Sequence, residues 1–330
     1  MIIPSKLIKG DEVRVIAPSR CLSMISRDTI NIAIKVLNEL GLKVSFGKHV
    51  NECVDDFFSS SVISRLEDLH DAFKDENVKG ILSVIGGFNS NHLLSHVDYD
   101  LIKKNPKILC GYSDITALQN AIFAKTGIVT YSGPHFSSFG MVKGNEYTIE
   151  YFKKALFESS SFEISSSTEW SDDAWFLDQE NRTMIKNDGG KIIRTGQASG
   201  VIVGGNLSTF HLLKGTPFMP SLDNTILFLE DDNVVDDLTP VEFDRNLQSI
   251  LHLPEFSGVR GIVLGRFPKP CKMSDDAIKK ILLSKNELKN IPIIFNLDFS
   301  HTTPMFTFPI GGEAILDVGT NGYSLKITSF

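Results

Sequence analysis

The stretch KILCGYSDITALQNAIF, Lys107–Phe123, decides how the rest of the chain is read. A short apolar run ends in Gly-Tyr-Ser-Asp, and a helix-like pattern begins at once. Strand, tight turn and helix in immediate succession is the unit from which parallel α/β sheets are built. Ser113 stands on that turn, and two roles are open to it. Serine is a preferred helix N-cap. A serine on a sharp strand-to-helix turn can also present its hydroxyl above the carboxyl edge of a sheet. The full Gly-x-Ser-x-Gly pattern is absent, because Ile115 takes the place of the second glycine.

Working outward, the same alternation continues on both sides. EVRVIAPS reads as a strand, and Ile30, Ala33, Ile34, Leu37 and Leu40 then line one helical face, with Gly41 placed to end the helix. KVSFG is a second strand. A second amphipathic helix runs through Leu66, Leu69, Ala72 and Phe73, followed by the strand GILSVIGG. IVTYSG comes after the helix behind Ser113. The strands are unbroken apolar runs, which marks a parallel sheet covered on both faces. We expect a doubly wound, flavodoxin- or Rossmann-like α/β domain over residues 1–160. A polar, Ser-rich connector over 161–195 carries Trp170 and Trp175. A more β-rich α/β domain over 196–330 has two clear helices, PVEFDRNLQSILHL and SDDAIKKILLSKN.

Composition bounds the function. The chain has 330 residues, 42% hydrophobic and 22% charged, with a net charge of −7. That fits a globular protein and argues against binding a nucleic-acid polymer, which needs a basic face. No apolar run approaches the length of a membrane span, and the first residues lack a signal-peptide pattern. The expectation is a cytoplasmic protein. Cys21, Cys53, Cys110 and Cys271 are far apart, with no CxxC pair, and are expected to be small buried hydrophobes rather than a zinc or dithiol site.

A nucleophilic serine needs a base and the base an orienting acid. Of eight histidines, His301 follows the apolar strand IPIIFNLDFS, so it sits at a strand's carboxyl end, where α/β sheets collect functional groups. Glu230 ends the strand TILFLE, where it can accept from an imidazole N–H or simply be a solvated strand end. IGGFNSN, Ile85–Asn91, follows the strand before the one that carries Ser113. Its spacing matches no phosphate loop, and backbone donors to an oxyanion are the better reading. VGGNLST, with Asn206, is a similar Gly-rich strand end in the second half. The acidic run EDDNVVDDLTP lacks the calcium-loop pattern.

Together these segments resemble the LD-carboxypeptidase family of Ser-Glu-His serine peptidases, and more closely its microcin C self-immunity branch. The resemblance covers most of the chain: LIKGDEVRVIAPS, RLEDLHDAFKDENVKGILSVIGG, GYSDITAL, GGNLSTF, LFLEDD, FDRNLQ and PMFTFPIGGEAILD occur in the family's order. It implies Ser113 as nucleophile, Glu230 as acid and His301 as general base. Oxyanion donors would come from the backbone of Asp114, Gly86 and Gly87. Substrate contacts would come from Asn89, Ser90, Asn206 and a connector tryptophan, Trp175 ahead of Trp170. It also implies a homodimer that uses no metal or cofactor. The cell-wall carboxypeptidases of the family carry Arg-Gly-Gly in the glycine loop, whereas Ile85 stands at the Arg position here. That departure favours an aminoacyl- or peptidyl-nucleotide amide over a murein tetrapeptide. A non-catalytic binder of small ligands is the reading from another class.

Overall fold

The computed structural model describes residues 1–232 and 234–330. In the first half, strands β1 (Glu12–Ile16), β2 (Lys43–Phe46), β3 (Val78–Ser83), β4 (Ile108–Gly111) and β5 (Thr130–Ser132) are interleaved with helices α1 (Arg27–Glu39), α2 (Val62–Lys74), α3 (Tyr99–Lys104) and α4 (Ile115–Thr126). Helix α5 (Glu146–Leu156) follows. Serines start the first two helices: Ser26 Oγ accepts from Thr29 N, and Ser61 Oγ from Ser64 N. Gly41 lies just past the end of α1 with φ +89°, a backbone that glycine adopts without strain.

The five strands pair in parallel in the order β2-β1-β3-β4-β5. This is the flavodoxin-like order, and its switch point lies between β1 and β3. Ile81, Leu82, Ile108 and Leu109 are buried with helices on both faces, which explains the unbroken apolar runs.

The second half contributes β6 (Phe162–Glu163), β7 (Glu169–Trp170), β8 (Ile185–Lys186), β9 (Lys191–Arg194), β10 (Gly196–Asn206), α6 (Leu207–Phe210), β11 (Thr225–Glu230) and α7 (Thr239–Leu251). After these come β12 (Val259–Gly265), α8 (Asp275–Ser284), β13 (Ile293–Leu297), β14 (Phe308–Ile310), β15 (Glu313–Val318) and β16 (Tyr323–Ser329). An eight-stranded sheet has the order β6-β16-β15-β10-β11-β12-β13-β9, parallel from β10 to β13 and antiparallel at its edges.

Three features differ from the sequence reading. The 161–195 stretch is only partly loop: it supplies β6 and β9 to the edges of the second sheet and pairs β7 with β8. β14, from late in the chain, crosses to the first sheet and pairs antiparallel with β5. Cys53 is exposed, and its sulfur is bonded to that of Cys21, with Cα atoms 6.0 Å apart. The chain folds residues 47–60 back against the loop after β1, so a separation of 32 residues in sequence is closed in space. Cys110 and Cys271 are buried, as expected of all four. Among the described residues, no helix is long and apolar enough to cross a membrane.

Helix α4 stitches the halves together. Asn120 Nδ2 donates to Gly204 O, Asn120 Oδ1 accepts from Gly204 N, and Thr116 Oγ1 accepts from Asn206 N. Gly205 makes the approach possible: a Cβ there would sit 2.5 Å from Thr116 Oγ1. The carboxyl ends of β1, β3 and β4 thereby face those of β10 and β11.

Candidate active site

Ser113 is not the cap of α4. Asp114 occupies the N-cap position, and Ser113 sits one residue earlier at φ +61°. A left-handed backbone costs a non-glycine residue on the order of 1–3 kcal/mol and persists only where its surroundings hold it. Here the turn is held from two sides. His135 donates from Nε2 to Tyr112 O at 2.9 Å. Asp114 Oδ2 accepts from the backbone N–H groups of Asn89 and Ser90 at 3.0 and 2.8 Å. The result turns the Ser113 hydroxyl away from the helix and toward the second sheet.

His301 meets it there. The Ser113 hydroxyl donates to His301 Nε2 across 2.9 Å, and His301 donates from Nδ1 to Glu230 Oε2 across 2.9 Å. The Glu230 partnership selects the imidazole tautomer in which Nε2 is the acceptor. Glu230 is the last residue of β11 and only 3% exposed, while the His301 side chain is 21% exposed. Burial alone would lower the His301 pKa. The negative charge and hydrogen bond of Glu230, backed by Asp232 and Asp231, more than reverse this and raise it to about 9. Asp232 Oδ2 lies 4.0 Å from Nε2. Asp231 is itself pushed up to about 7, by burial first and then by the charges of Glu230 and Asp232.

The glycine loop touches the serine. A Cβ on Gly86 would lie 2.9 Å from both Cβ and Oγ of Ser113. Among the described residues, the backbone N–H groups of Gly86, Gly87 and Asp114 donate to no other group.

Asn89, Ser90 and Asn206, expected as ligand contacts, each make hydrogen bonds within the protein. Asn89 is buried, and its Oδ1 accepts from Ser19, Ser59 and Arg65. Ser90, fully buried, donates from Oγ to Asp114 O. Asn206 Oδ1 caps α6 by accepting from Thr209 N, and its Nδ2 reaches Asp231 at 3.4 Å.

Two cavities flank the serine and histidine. One, of about 240 Å³, is lined by Ser113, Gly87, His211, Asp231, Asp232 and Glu242. The other, of about 350 Å³, contains His301, Tyr112, Ile85, Trp175 and Phe176. The structure therefore separates the two tryptophans. Trp175 shares a cavity with His301, whereas Trp170 lies against Arg266 and Lys269 in a different depression.

Sequence reasoning overlooked Tyr112 and His135. The Tyr112 ring stacks on His135 at 4.0 Å and lies 5.3 Å from the His301 ring. Burial holds the His135 pKa down at about 3, so its ring is a neutral packing partner. A signal was present: His135 follows β5 closely, at a strand's carboxyl end like His301.

Comparison with known proteins places this geometry. Residues 13–133 match the LD-carboxypeptidase N-terminal domain and residues 199–316 the LD-carboxypeptidase C-terminal domain. Putative carboxypeptidase YocD of Bacillus subtilis (strain 168) is 53% identical over 95% of each chain. Another protein of that strain, a probable murein peptide carboxypeptidase, is 32% identical over 95% of this chain and 91% of its own. The microcin C7 self-immunity protein MccF of Escherichia coli is 31% identical over 98% and 95%. Among solved structures, an MccF-like protein from Bacillus anthracis str. Ames superposes with a TM-score of 0.99, at 52% identity and full coverage of both chains. MccF has been solved with aspartyl sulfamoyl adenosine, and a Trp-to-Phe variant of it with adenosine monophosphate. Each superposes with a TM-score of 0.86 at 29% identity, over 100% of this chain and 99% of theirs. With both domains matched and relatives above 30% identity along nearly the whole length, the chain belongs to the LD-carboxypeptidase family of peptidases.

Proposed function

We propose that the protein hydrolyses the amide that joins an aminoacyl or peptidyl group to a nucleotide-like leaving group, through an acyl-enzyme on Ser113. The observation that carries the choice of substrate is the lining of the His301-side cavity. It holds Trp175, Phe176, Tyr112 and Ile85 beside serines, threonines, Asp172 and Asp173, and among the described residues no lysine or arginine lines it. A flat, neutral nucleobase finds a stacking face there, worth about 1–3 kcal/mol. The terminal carboxylate of a murein peptide finds no lysine or arginine among the described lining residues. The solved complexes of MccF with an aminoacyl sulfamoyl nucleoside and with a nucleotide support the same class.

The chemistry follows from the file of three side chains. His301 Nε2 takes the Ser113 proton as Oγ attacks the carbonyl carbon, and Glu230 steadies the imidazolium that forms. The developing oxyanion lies against the free N–H groups of Asp114 and the Gly86–Gly87 pair. His301 then protonates the departing nitrogen, the C–N bond breaks and the ester on Ser113 remains. Water, deprotonated by the same imidazole, cleaves that ester and restores the serine. The hydrogen-bonded file and the left-handed Ser113 both argue against a simple binding protein, which needs neither.

Ser113→Ala tests the reading. Turnover is expected to fall by several orders of magnitude, because such a unit fails when one member is lost. Mass spectrometry of rapidly quenched wild-type enzyme should find the acyl group on the peptide that contains Ser113. Near-normal turnover in the variant, or an adduct on another residue, overturns the assignment.

A further inference from the structure

We infer that the depression behind Trp170 is a second ligand site, built for the phosphoryl group of a small molecule. It is a cavity of about 480 Å³ that includes Gly265–Lys269, which end and follow β12, and Asn296 of β13. It thus lies at the carboxyl ends of two parallel strands, where open α/β sheets bind ligands. It is separate from the cleft that contains His301, with the Trp170–Asp172 segment between the two.

Its charge runs against that of the chain. In a protein of net charge −7, five cations line this one cavity against two carboxylates, Asp188 and Asp275. Lys191 pairs with Asp275 at 2.6 Å, and Arg266 with the buried Asp298 at 2.7 Å. Among the described residues, Lys186, Lys269 and Lys272 make no ion pair. Arg266 lies beneath them, 4% exposed, and its Nε has no partner.

The ring of Trp170 completes the site. The Arg266 guanidinium lies 4.7 Å from its centroid and Lys269 Nζ 5.6 Å. The ring thereby holds two cations at one edge of the cavity by cation–π attraction. Three unpaired ammonium groups spread around a concave surface match an anion with several oxygens, as a phosphate has, better than a single planar carboxylate. Among the described residues that line the cleft with Trp175 there is no lysine or arginine, so the two cavities differ in the chemistry they accept.

The chain contains only two tryptophans, which makes the test direct. Trp175→Phe leaves Trp170 as the sole tryptophan, and its fluorescence, selectively excited, is followed at constant ionic strength. The probes are inorganic phosphate, pyrophosphate and adenosine monophosphate. The expected result is a saturable change with pyrophosphate, half-complete at or below about 1 mM. Adding Lys186→Gln, Lys269→Gln and Lys272→Gln should weaken it at least about 10-fold, with circular dichroism unchanged. These three lysines are exposed, so the fold does not depend on them, and Lys269→Gln alone serves if the combination is unstable. Saturation by pyrophosphate and inorganic phosphate alike assigns the site to the free phosphoryl group. Saturation by adenosine monophosphate as well, and more tightly, assigns it to a nucleotide, provided the lysine variants lose it. No saturable response, or one of equal affinity in the lysine variants, overturns the proposal. None of these readouts uses turnover, so failure here leaves the proposed hydrolysis untouched.

Discussion

Replacing Asp232 by asparagine should move the acid limb of the pH–rate profile downward. The base must be neutral to accept the Ser113 proton, so activity is lost as pH falls through the His301 pKa, raised here to about 9. Asp232 is one of the carboxylates that raise it, with Oδ2 4.0 Å from Nε2 and its side chain 19% exposed. At that separation the attraction is about 1 kcal/mol in water and about 4 kcal/mol at an effective dielectric of about 20. Partial exposure places the pair toward the weaker end. At about 1.4 kcal/mol per pKa unit, the limb should fall by about one unit. Well below both limbs, near neutral pH, the variant gains at most about 10-fold in neutral imidazole, set against the loss in its plateau. Its plateau at high pH should be lower, because Asp232 also steadies the imidazolium formed during reaction. The assay is kcat/KM for an aminoacyl sulfamoyl adenosine from about pH 6 to pH 10, at low and high salt, since salt screens the exposed part of the effect. An unmoved limb would show that Asp232 does not set the His301 proton affinity. An upward shift would reverse the sign of the argument.

Two further substitutions probe the cleft. Gly86→Ala brings a methyl group within 2.9 Å of the Ser113 side chain, so the serine must shift. A loss of roughly 10- to 100-fold in kcat with little change in Tm is expected, and unchanged kcat would mean that the loop yields instead. Trp175→Ala removes the stacking face beside His301 and should raise KM for an aminoacyl-nucleotide amide by about 10-fold or more, with kcat less affected. The same KM as wild type would remove Trp175 from the binding site.

Much of the first sheet is legible in the sequence because its signals are local. Ile108–Cys110 is an apolar run too short for a helix, Gly-Tyr-Ser-Asp breaks it, and the pattern after Asp114 has helical period. The positions of Ser113, Glu230 and His301 are legible for the same reason, since each follows or ends a buried strand. What was missed depends on contacts that sequence spacing does not carry. Asn89 and Ser90 look like free polar donors beside two glycines, yet Asp114, Arg65 and Ser59 reach them from elsewhere in the chain. β14 falls within residues 196–330, read as the second domain, yet joins the first sheet, because β5 offers it an unpaired edge. The stacking of Tyr112 between His135 and His301 requires β4, β5 and β13 to converge, which no segment shows alone. Helix α5 was legible and overlooked: Thr148, Tyr151, Phe152, Ala155 and Leu156 bury one face at helical spacing.

The central claim is the pairing of a serine nucleophile with a nucleotide-like leaving group, and one comparison tests it most directly. Wild-type enzyme is given an aminoacyl sulfamoyl adenosine and a murein tetrapeptide under the same conditions, and kcat/KM is measured from released sulfamoyl adenosine and released D-Ala. The cavity beside Trp175, with no lysine or arginine among its described lining residues, predicts that the nucleotide amide is cleaved faster by at least about 10-fold, the equivalent of one lost charge-assisted contact. Faster release of D-Ala from the tetrapeptide would contradict the account.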